Sequence, residues 1–274
     1  MLHMKILALV LLTGLAASAQ TKPQPASIEY ATPTIREEQT VVVNGVSETW
    51  RLQWKSAPEP YCEAQDKTQF WATCPCSRFA YGEKGDLHLV RIRSGTEVER
   101  LRLTPLFTET DDQAAIQRWP EQRDDLELSK RPDFSAIVSR RPVVQVMDFG
   151  DYDHDGNSTE FFLQTDAGPC GHHSGIVVGV STNNPRLHVF GTVRRPRKPL
   201  YLEPDEWEKL RKASSAPVIV THIQCGDHGS ESEIDVRLNW SVEGIDGTRL
   251  EYSCPMGTHK ARRLIRRWPL YSDQ

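Results

Sequence analysis

The stretch that decides the fold is Asp151-Tyr152-Asp153-His154-Asp155-Gly156-Asn157-Ser158-Thr159-Glu160, a short acidic loop with a glycine near its centre. Carboxylates alternate along its first half, so the spacing predicts that Asp151, Asp153 and Asp155 point to a common centre. Gly156 permits a sharp turn, because glycine reaches positive φ without a steric penalty. Carboxylates this close repel one another unless a cation lies between them. The pattern therefore predicts a metal site, and the alternative is a solvated acidic turn without an ion.

Further oxygens in the same loop can complete the ligand set. The main-chain carbonyl of Asn157 offers one, and either Thr159 or Glu160 can close the cage. Calcium prefers six to eight oxygen ligands, so this density of oxygens favours calcium. The candidate metal ligands are Asp151, Asp153, Asp155, Asn157, Thr159 and Glu160.

The segments on both sides of the loop are apolar and predict two short buried strands. Residues 142–149 are β-branched and apolar, and residues 160–165 are aromatic and apolar. An EF-hand loop lies between helices and ends in a glutamate at its twelfth position, which is Phe162 here. The strand–loop–strand unit instead resembles the calcium loops of FG-GAP and VCBS-type repeats. That resemblance implies calcium binding in an extracellular β protein, although those repeats place the last acidic ligand at the position of Thr159, one residue before Glu160.

The N-terminus predicts export. An apolar run from Ile6 to Ala17 has the length of a signal-peptide core and is too short to span a membrane. A small-x-small cleavage site follows, so residues 1–19 are predicted to be a signal peptide, and the alternative is a buried N-terminal helix. Residues 20–37 are rich in Pro, Thr and Ser and indicate a flexible leader. The predicted location is secreted or periplasmic, with no membrane span elsewhere.

Charge and length restrict the function classes. The chain has 274 residues and a net charge of −4, from 33 basic and 37 acidic side chains, which argues against general nucleic-acid binding. Residues 38–274 can bury a large core and are predicted to form one all-β domain. An exposed charged connection is expected near residues 119–140. The basic run at residues 260–267 is interpreted as a solvated helical face rather than an anion-binding patch.

The cysteines predict disulfides, because the chain has six of them and an even number in an exported protein favours pairing. The predicted pairs are Cys62 with Cys74 or Cys76, and Cys225 with Cys254 or, as the rival, Cys170. Outer strands of a three-strand meander lie about 9.6 Å apart, beyond the roughly 7 Å Cα limit for a disulfide. A Cys225–Cys254 bridge therefore requires positions beyond the strand ends or a strand order that makes the two strands neighbours.

A second metal hypothesis comes from histidines that accompany some of these cysteines. If the two clusters come together, they suit zinc, which takes histidine and thiolate ligands. The spacing matches no structural zinc module, and an oxidising compartment favours the disulfide. The candidate ligands of this alternative are Cys170, His172, His173, His222, Cys225 and His228.

The remaining sequence predicts a mainly β protein of antiparallel sheets, arranged as a sandwich or an irregular propeller, with two short helices. Hairpin turns are predicted at Asn44-Gly45, at Ser94-Gly95 and at residues 183–185. Alternating apolar residues predict a C-terminal meander of residues 218–225, 234–242 and 250–254. The helices are expected near residues 111–118 and 204–212.

Two functions remain open, because the sequence has no Gly-x-Ser-x-Gly elbow, no Walker loop and no His-Glu-x-x-His motif. The favoured one is a calcium-stabilised binding or envelope-associated module without catalysis. Its partner would be a glycan, an envelope component or another protein. The alternative is a secreted or periplasmic hydrolase with a structural calcium site. A cleft with two or more convergent titratable groups away from the acidic loop would favour the hydrolase.

Overall fold

The computed structural model describes residues 32–62, 79–107, 112–167, 173–213, 217–226, 229–241, 244–254 and 261–270. The predicted signal peptide and most of the predicted leader lie outside the described residues. Within them every strand pair is antiparallel, and the predicted mainly β fold is confirmed. No described helix has both the length and the apolar character needed to cross a membrane.

Strands dominate the described part of the chain. They are β1 (Thr34–Val43), β2 (Val46–Trp54), β3 (Glu59–Tyr61), β4 (Gly82–Gly85), β5 (Leu87–Arg93), β6 (Thr96–Arg102), β7 (Ala114–Gln117), β8 (Phe149–Gly150), β9 (Glu160–Ala167), β10 (His173–Ser181), β11 (Asn184–Val189), β12 (Val218–Ile223), β13 (Ser232–Ser241), β14 (Gly244–Ser253) and β15 (Leu264–Pro269). The helices are α1 (Asp125–Leu128), α2 (Phe134–Val138) and α3 (Pro204–Lys212), with a 3₁₀ turn at Thr104–Leu106.

These strands form four sheets. The first has the order β1-β2-β5-β6, the second β11-β10-β9-β8 and the third β12-β13-β14-β15. A small fourth sheet has the order β3-β4-β7; in the chain, β3 and β4 come between β2 and β5, and β7 follows β6. The second and third sheets are therefore simple meanders of consecutive strands.

Two tight hairpins of the first sheet form at the predicted turns. Asn44 and Gly45 have φ angles of 50° and 76°, and Ser94 and Gly95 have 49° and 79°. Positive φ at both central residues is what a type I′ turn requires, and Asn and Gly tolerate it best. Both turns set the register of the strands that follow, and both predictions are confirmed.

The second sheet is the middle layer of the molecule, because its two faces belong to different cores. Phe161 and Ile176 pack with Trp50 and other side chains of the first sheet. Phe162 and Val177 point to the opposite face, where they pack with α3 and the third sheet. Burial on both faces explains the unbroken apolar stretches of these strands, residues 161–163 in β9 and 176–178 in β10.

The C-terminal sheet confirms the predicted meander and adds β15 to it. Cys225 and Cys254 form a disulfide with a Cα–Cα distance of 5.4 Å. Both cysteines lie just beyond the ends of β12 and β14, which are not neighbours in the sheet. The favoured pairing is therefore confirmed, and it uses the loop positions that the geometry requires. Cys62 is also disulfide-bonded, and its predicted partners, Cys74 or Cys76, lie outside the described residues.

Helix α3 confirms the second predicted helix, with its bounds at Pro204 and Lys212. Pro204 occupies the first turn, where its missing N–H costs no hydrogen bond. The Glu203 and Glu206 side chains form a reciprocal capping box at this end. Trp207 is buried and packs in the core that α3 shares with the second and third sheets.

The predicted helix near residues 111–118 is wrong, because Ala114–Gln117 form strand β7 and pair with β4. Ala114 and Ile116 enter the core of the first sheet, while Ala115 packs against Phe79 on the other side. Both faces of this short apolar segment are thus buried. A strand allows this, because its successive side chains point to opposite faces.

The region near residues 119–140 is less exposed than predicted. It contains α1 and α2, and Phe134 and Val138 of α2 are buried with Tyr81. Asp125 is fully buried and is held by hydrogen bonds from Arg141 and from the Tyr81 hydroxyl. The ion pair supplies the charge compensation that allows a carboxylate to be buried here.

Two further segments differ from the prediction. Of residues 142–149, only Phe149 enters a strand, because the main-chain N–H groups of Val146 and Met147 donate to the Glu37 carboxylate instead of a neighbouring strand. Glu37 belongs to β1, which begins at Thr34 inside the stretch expected to be a leader. The basic C-terminal run is solvated as predicted, but the helix is wrong, because residues 264–269 form edge strand β15.

Candidate metal centre

The acidic loop connects two neighbouring strands of the middle sheet. Phe149 pairs with Phe161 and Gly150 pairs with Glu160, so β8 and β9 close residues 151–159 into a hairpin loop. His154 and Gly156 have φ angles of 58° and 88°. These left-handed positions curl the loop back on itself and bring its side chains inward.

Three carboxylates meet inside this loop, those of Asp151, Asp153 and Glu160. Each offers one oxygen, and the three oxygens all lie within 4.8 Å of one another. A calcium ion about 2.4 Å from each ligand would allow a largest oxygen–oxygen separation of about 4.8 Å. Among the described residues, the sequence-predicted ligands that converge are therefore these three.

Glu160 is the buried member of this group. Its Oε2 accepts a hydrogen bond from the Tyr152 main-chain N–H at 3.0 Å, and its Oε1 lies 2.7 Å from the Thr159 hydroxyl. That hydroxyl also lies 2.8 Å from the Val180 carbonyl, which can only accept. Because a threonine hydroxyl has only one proton, it can donate to Glu160 or to Val180 but not fully to both.

Burial sets the pKa values of these carboxyl groups and outweighs the hydrogen bonds that Glu160 accepts. Burial raises the pKa of Glu160 to about 9, and the nearby charge of Asp153 adds to the effect. Burial likewise raises the pKa of Asp153 to about 6, and the negative charge of Asp155 makes the second largest contribution to this increase. The loop thus holds acidic groups that resist full ionisation without a compensating positive charge. A cation at their centre would provide that charge and displace the protons.

Asp155 is hydrogen-bonded to its own loop and to a neighbouring turn. Its Oδ2 accepts a hydrogen bond of 2.8 Å from the Thr182 hydroxyl, in the turn between β10 and β11. Its Oδ1 accepts from the main-chain and side-chain nitrogens of Asn157 at 2.8 and 3.0 Å. Burial alone would raise the pKa of Asp155, but these hydrogen bonds outweigh it and lower the pKa. The Asp155 carboxylate therefore braces the loop against the neighbouring turn and lies outside the converging group.

Asn157 and Thr159 are the remaining predicted ligands. The Asn157 side chain donates to Asp155 and to Thr182, and the residue is exposed. The Thr159 side chain is buried and is used by Val180 and Glu160. The Asn157 side chain cannot turn to the acidic group without breaking its bonds, whereas the Thr159 hydroxyl already contacts Glu160. A main-chain ligand from Asn157 stays a prediction.

His154 attaches the loop to the next layer, a role that sequence reasoning missed. Its Nε2 donates to the Leu210 carbonyl of α3 at 3.0 Å. Its ring also lies edge-on to Trp240 of β13, with a centroid distance of 5.5 Å and an interplanar angle of 77°. Since the histidine has positive φ, only the folded loop can place it here, and the sequence carries no local signal for the contact.

The zinc alternative loses its central residue. Cys225 is bonded to Cys254 and is not available as a thiolate ligand. His222 is hydrogen-bonded to the buried Glu206 of α3. His173 begins β10, and Cys170, His172 and His228 lie outside the described residues.

The donor set of the acidic loop decides which cations it suits. Carboxylate oxygens are hard ligands, which suit calcium and magnesium and not the softer metals that prefer sulfur or imidazole. Three carboxylates supply three to six oxygens, depending on whether each binds through one oxygen or two, and calcium accepts such mixed modes. Comparison with known proteins gives no relative from which a metal or a role could be transferred: no protein-family model, no curated protein and no solved structure matches this chain.

Proposed function

We propose that this chain is an exported, calcium-stabilised binding or envelope-associated module that acts without catalysis. The observation that carries the proposal is the convergence of Asp151, Asp153 and the buried Glu160 on one point. Burying a carboxylate costs several kcal/mol unless a charge partner is present, so the arrangement is understandable as a cation site. Calcium is the ion that best fits hard oxygen ligands with this spacing.

Export is supported by the disulfides. Cys225–Cys254 closes the open end of the C-terminal meander, and Cys62 is bonded as well. Disulfides of this structural kind persist in oxidising compartments and are rare in reducing ones. The apolar run from Ile6 to Ala17 and the small-x-small site after it add to this support. Mass spectrometry of the protein recovered from an expressing cell should find Gln20 as the new N-terminus.

The scarcity of titratable groups in the cleft beside β4 and α2 favours binding over hydrolysis. The cleft beside β4 and α2 is lined by one carboxylate, Glu83, which is held between Arg36 and Arg118. Acid–base hydrolysis usually needs two groups in different protonation states, and this cleft suits recognition better.

Calcium titration of the purified protein by calorimetry tests the proposal. We expect saturable binding of about one ion and a higher melting temperature with calcium than after chelation, because the ion binds the native state. The Asp151→Asn, Asp153→Asn double variant should lose both signals. Zinc, which prefers nitrogen and sulfur ligands, should not reproduce them. A wild-type protein with no calcium-dependent melting shift would contradict the proposal.

A further inference from the structure

A cleft of about 440 Å³ lies between the small sheet and α2, well within the size range of small-molecule sites. We call it the Trp119 cleft. Its walls combine rings, one carboxylate, one guanidinium and the hydroxyls of two serines and a tyrosine. The lining residues include Pro58, Pro60, Tyr81, Glu83, Arg118, Trp119, Ser135 and Ser139.

Arg118 provides a fixed cation with donors to spare. Its guanidinium carbon lies 4.8 Å from the centre of the Trp119 ring, and its Nη1 donates to Glu83 at 3.2 Å. Stacking and this bond hold the group in place although its side chain is 45% exposed. An arginine has five donors, and the others have no side-chain or main-chain acceptor in the described part of the chain. They are available to an anion in the cleft.

The charge balance of the cleft also favours an anion. Glu83 is buried, with Oε1 only 2.6 Å from Arg36 Nε, and its other oxygen accepts from Arg118. One negative and two positive charges leave the group with a net charge of +1. The Arg36 side chain is buried and donates to the carbonyls of Gln117 and Val144. The positive charge that reaches the cleft surface is therefore that of Arg118.

The rings of the cleft decide the class of anion. Pro60 lies in edge strand β3 and has no N–H, so an extended peptide gains little by adding to this edge. Proline and tryptophan rings suit a ligand with a flat apolar side, and serine hydroxyls suit one with several hydroxyls. A sugar ring that carries a carboxylate offers all three features at once.

We propose that the Trp119 cleft binds an acidic sugar of the uronic-acid class, with its carboxylate on Arg118 and its ring against Trp119 and the prolines. This inference rests on the proposed binding function and gives it a ligand class.

The larger cavity, about 630 Å³, provides a matched control. It is lined by Arg91 and Arg93 among others, and none of its lining residues is aromatic. Arg93 resembles Arg118 because its side chain is 47% exposed and bonded to a buried glutamate, Glu48. Substitution of Arg93 therefore removes a comparable charge and ion pair without touching the Trp119 cleft.

Calorimetry with an oligogalacturonide tests the inference, and the same oligosaccharide with methyl-esterified carboxylates is the ligand control. We expect the acid to bind and the ester to bind at least about 10-fold more weakly, because a charge-assisted hydrogen bond is lost. Arg118→Gln should weaken binding of the acid to the same degree, whereas Arg93→Gln should leave it unchanged. Arg118→Lys keeps the ion pair with Glu83 but loses the planar fork, so it should bind more weakly than wild type while melting normally.

Several results would overturn the inference. They are equal binding of acid and ester, equal loss in the Arg93→Gln and Arg118→Gln variants, and binding of an oligoglutamate peptide in preference to the sugar.

A calcium-dependent melting shift is measured on the same samples. Its presence together with no oligogalacturonide binding would reject the ligand class and leave the calcium site standing. Its absence together with Arg118-dependent binding would support the cleft and reject the calcium site.

Discussion

Glu160→Gln is the substitution that separates the converging group from a merely acidic loop. Glutamine has the shape of glutamate, so its amide oxygen can still accept from the Tyr152 N–H and its amide NH₂ can donate to the Thr159 oxygen. Because these bonds are retained, we expect the variant to melt within a few degrees of wild type after chelation. What it loses is the negative charge that a cation requires.

The expected size of the calcium effect follows from linkage. Calcium at about 100 times its Kd stabilises the native state by about 2.7 kcal/mol. In a chain of this length about 1 kcal/mol shifts the melting temperature by about 2–4 °C, so wild type should gain about 5–11 °C. Loss of a charged ligand worth about 1.5–3 kcal/mol weakens the Kd by about 10- to 100-fold. At the same calcium concentration the variant should then gain only about 0.4–1.4 kcal/mol, or about 1–6 °C.

Differential scanning calorimetry in calcium and in chelator measures both quantities. Asp155→Asn is the matched control, since it removes a charge from the same loop but from a carboxylate that bonds Thr182 and Asn157. We expect this control to melt at a lower temperature in both buffers and to keep most of the calcium shift. A full shift in Glu160→Gln, or a shift abolished by Asp155→Asn alone, would refute the assignment of Glu160 to the site.

Three further predictions concern stability elsewhere in the molecule. Replacing Cys225 and Cys254 together by serine should cost about 3.6 kcal/mol in the chain-entropy account, given their separation of 29 residues, and chemical denaturation of the double variant should show it. Hydrogen bonds from Arg102 and Thr104 outweigh burial and lower the pKa of Asp86 to about 2, so Asp86 stabilises the fold above pH 4 and loses this effect as the pH falls towards 2. Asp86→Asn should therefore flatten the acid side of the stability profile by about 1 kcal/mol after solvent screening, and an unchanged slope between pH 4 and 2 would contradict this. Arg141→Met leaves buried Asp125 without its partner and should cost about 3–5 kcal/mol, whereas Arg131→Met, in the exposed pair with Asp133, should have no measurable effect.

Local patterns predicted those parts of the fold that local chemistry determines. The Asn44-Gly45 turn and the proline and capping residues of α3 act within a few residues, and both elements form where expected. The alternation of β13 likewise predicts a sheet with one buried face. The failure at Ala114–Gln117 has the opposite cause. Alanine favours helix in isolation, but here the segment is buried on both faces and pairs with β4, so tertiary packing overrides propensity.

The candidate site divides in the same way. The spacing of Asp151 and Asp153 within one turn is local, and one oxygen of each lies close to the other; their role as metal ligands stays a prediction. Inclusion of Glu160 depends on the register in which β8 meets β9, and exclusion of Asp155 depends on Thr182, which is distant in the chain. The sequence of the loop predicts neither the strand register nor the contact with Thr182.

The contacts that sequence reasoning missed also determine how a cation would bind. Asp155 ties the loop to the turn after β10, and His154 ties it to α3 and to Trp240 of β13. These contacts restrain the loop independently of an ion, so we expect ion binding to cost little conformational entropy. Its driving force is then the relief of repulsion and desolvation at Glu160 and its neighbours. It follows that calcium should stabilise the molecule without reshaping the loop, and that its affinity should depend on charge at the converging oxygens more than on the sequence between them.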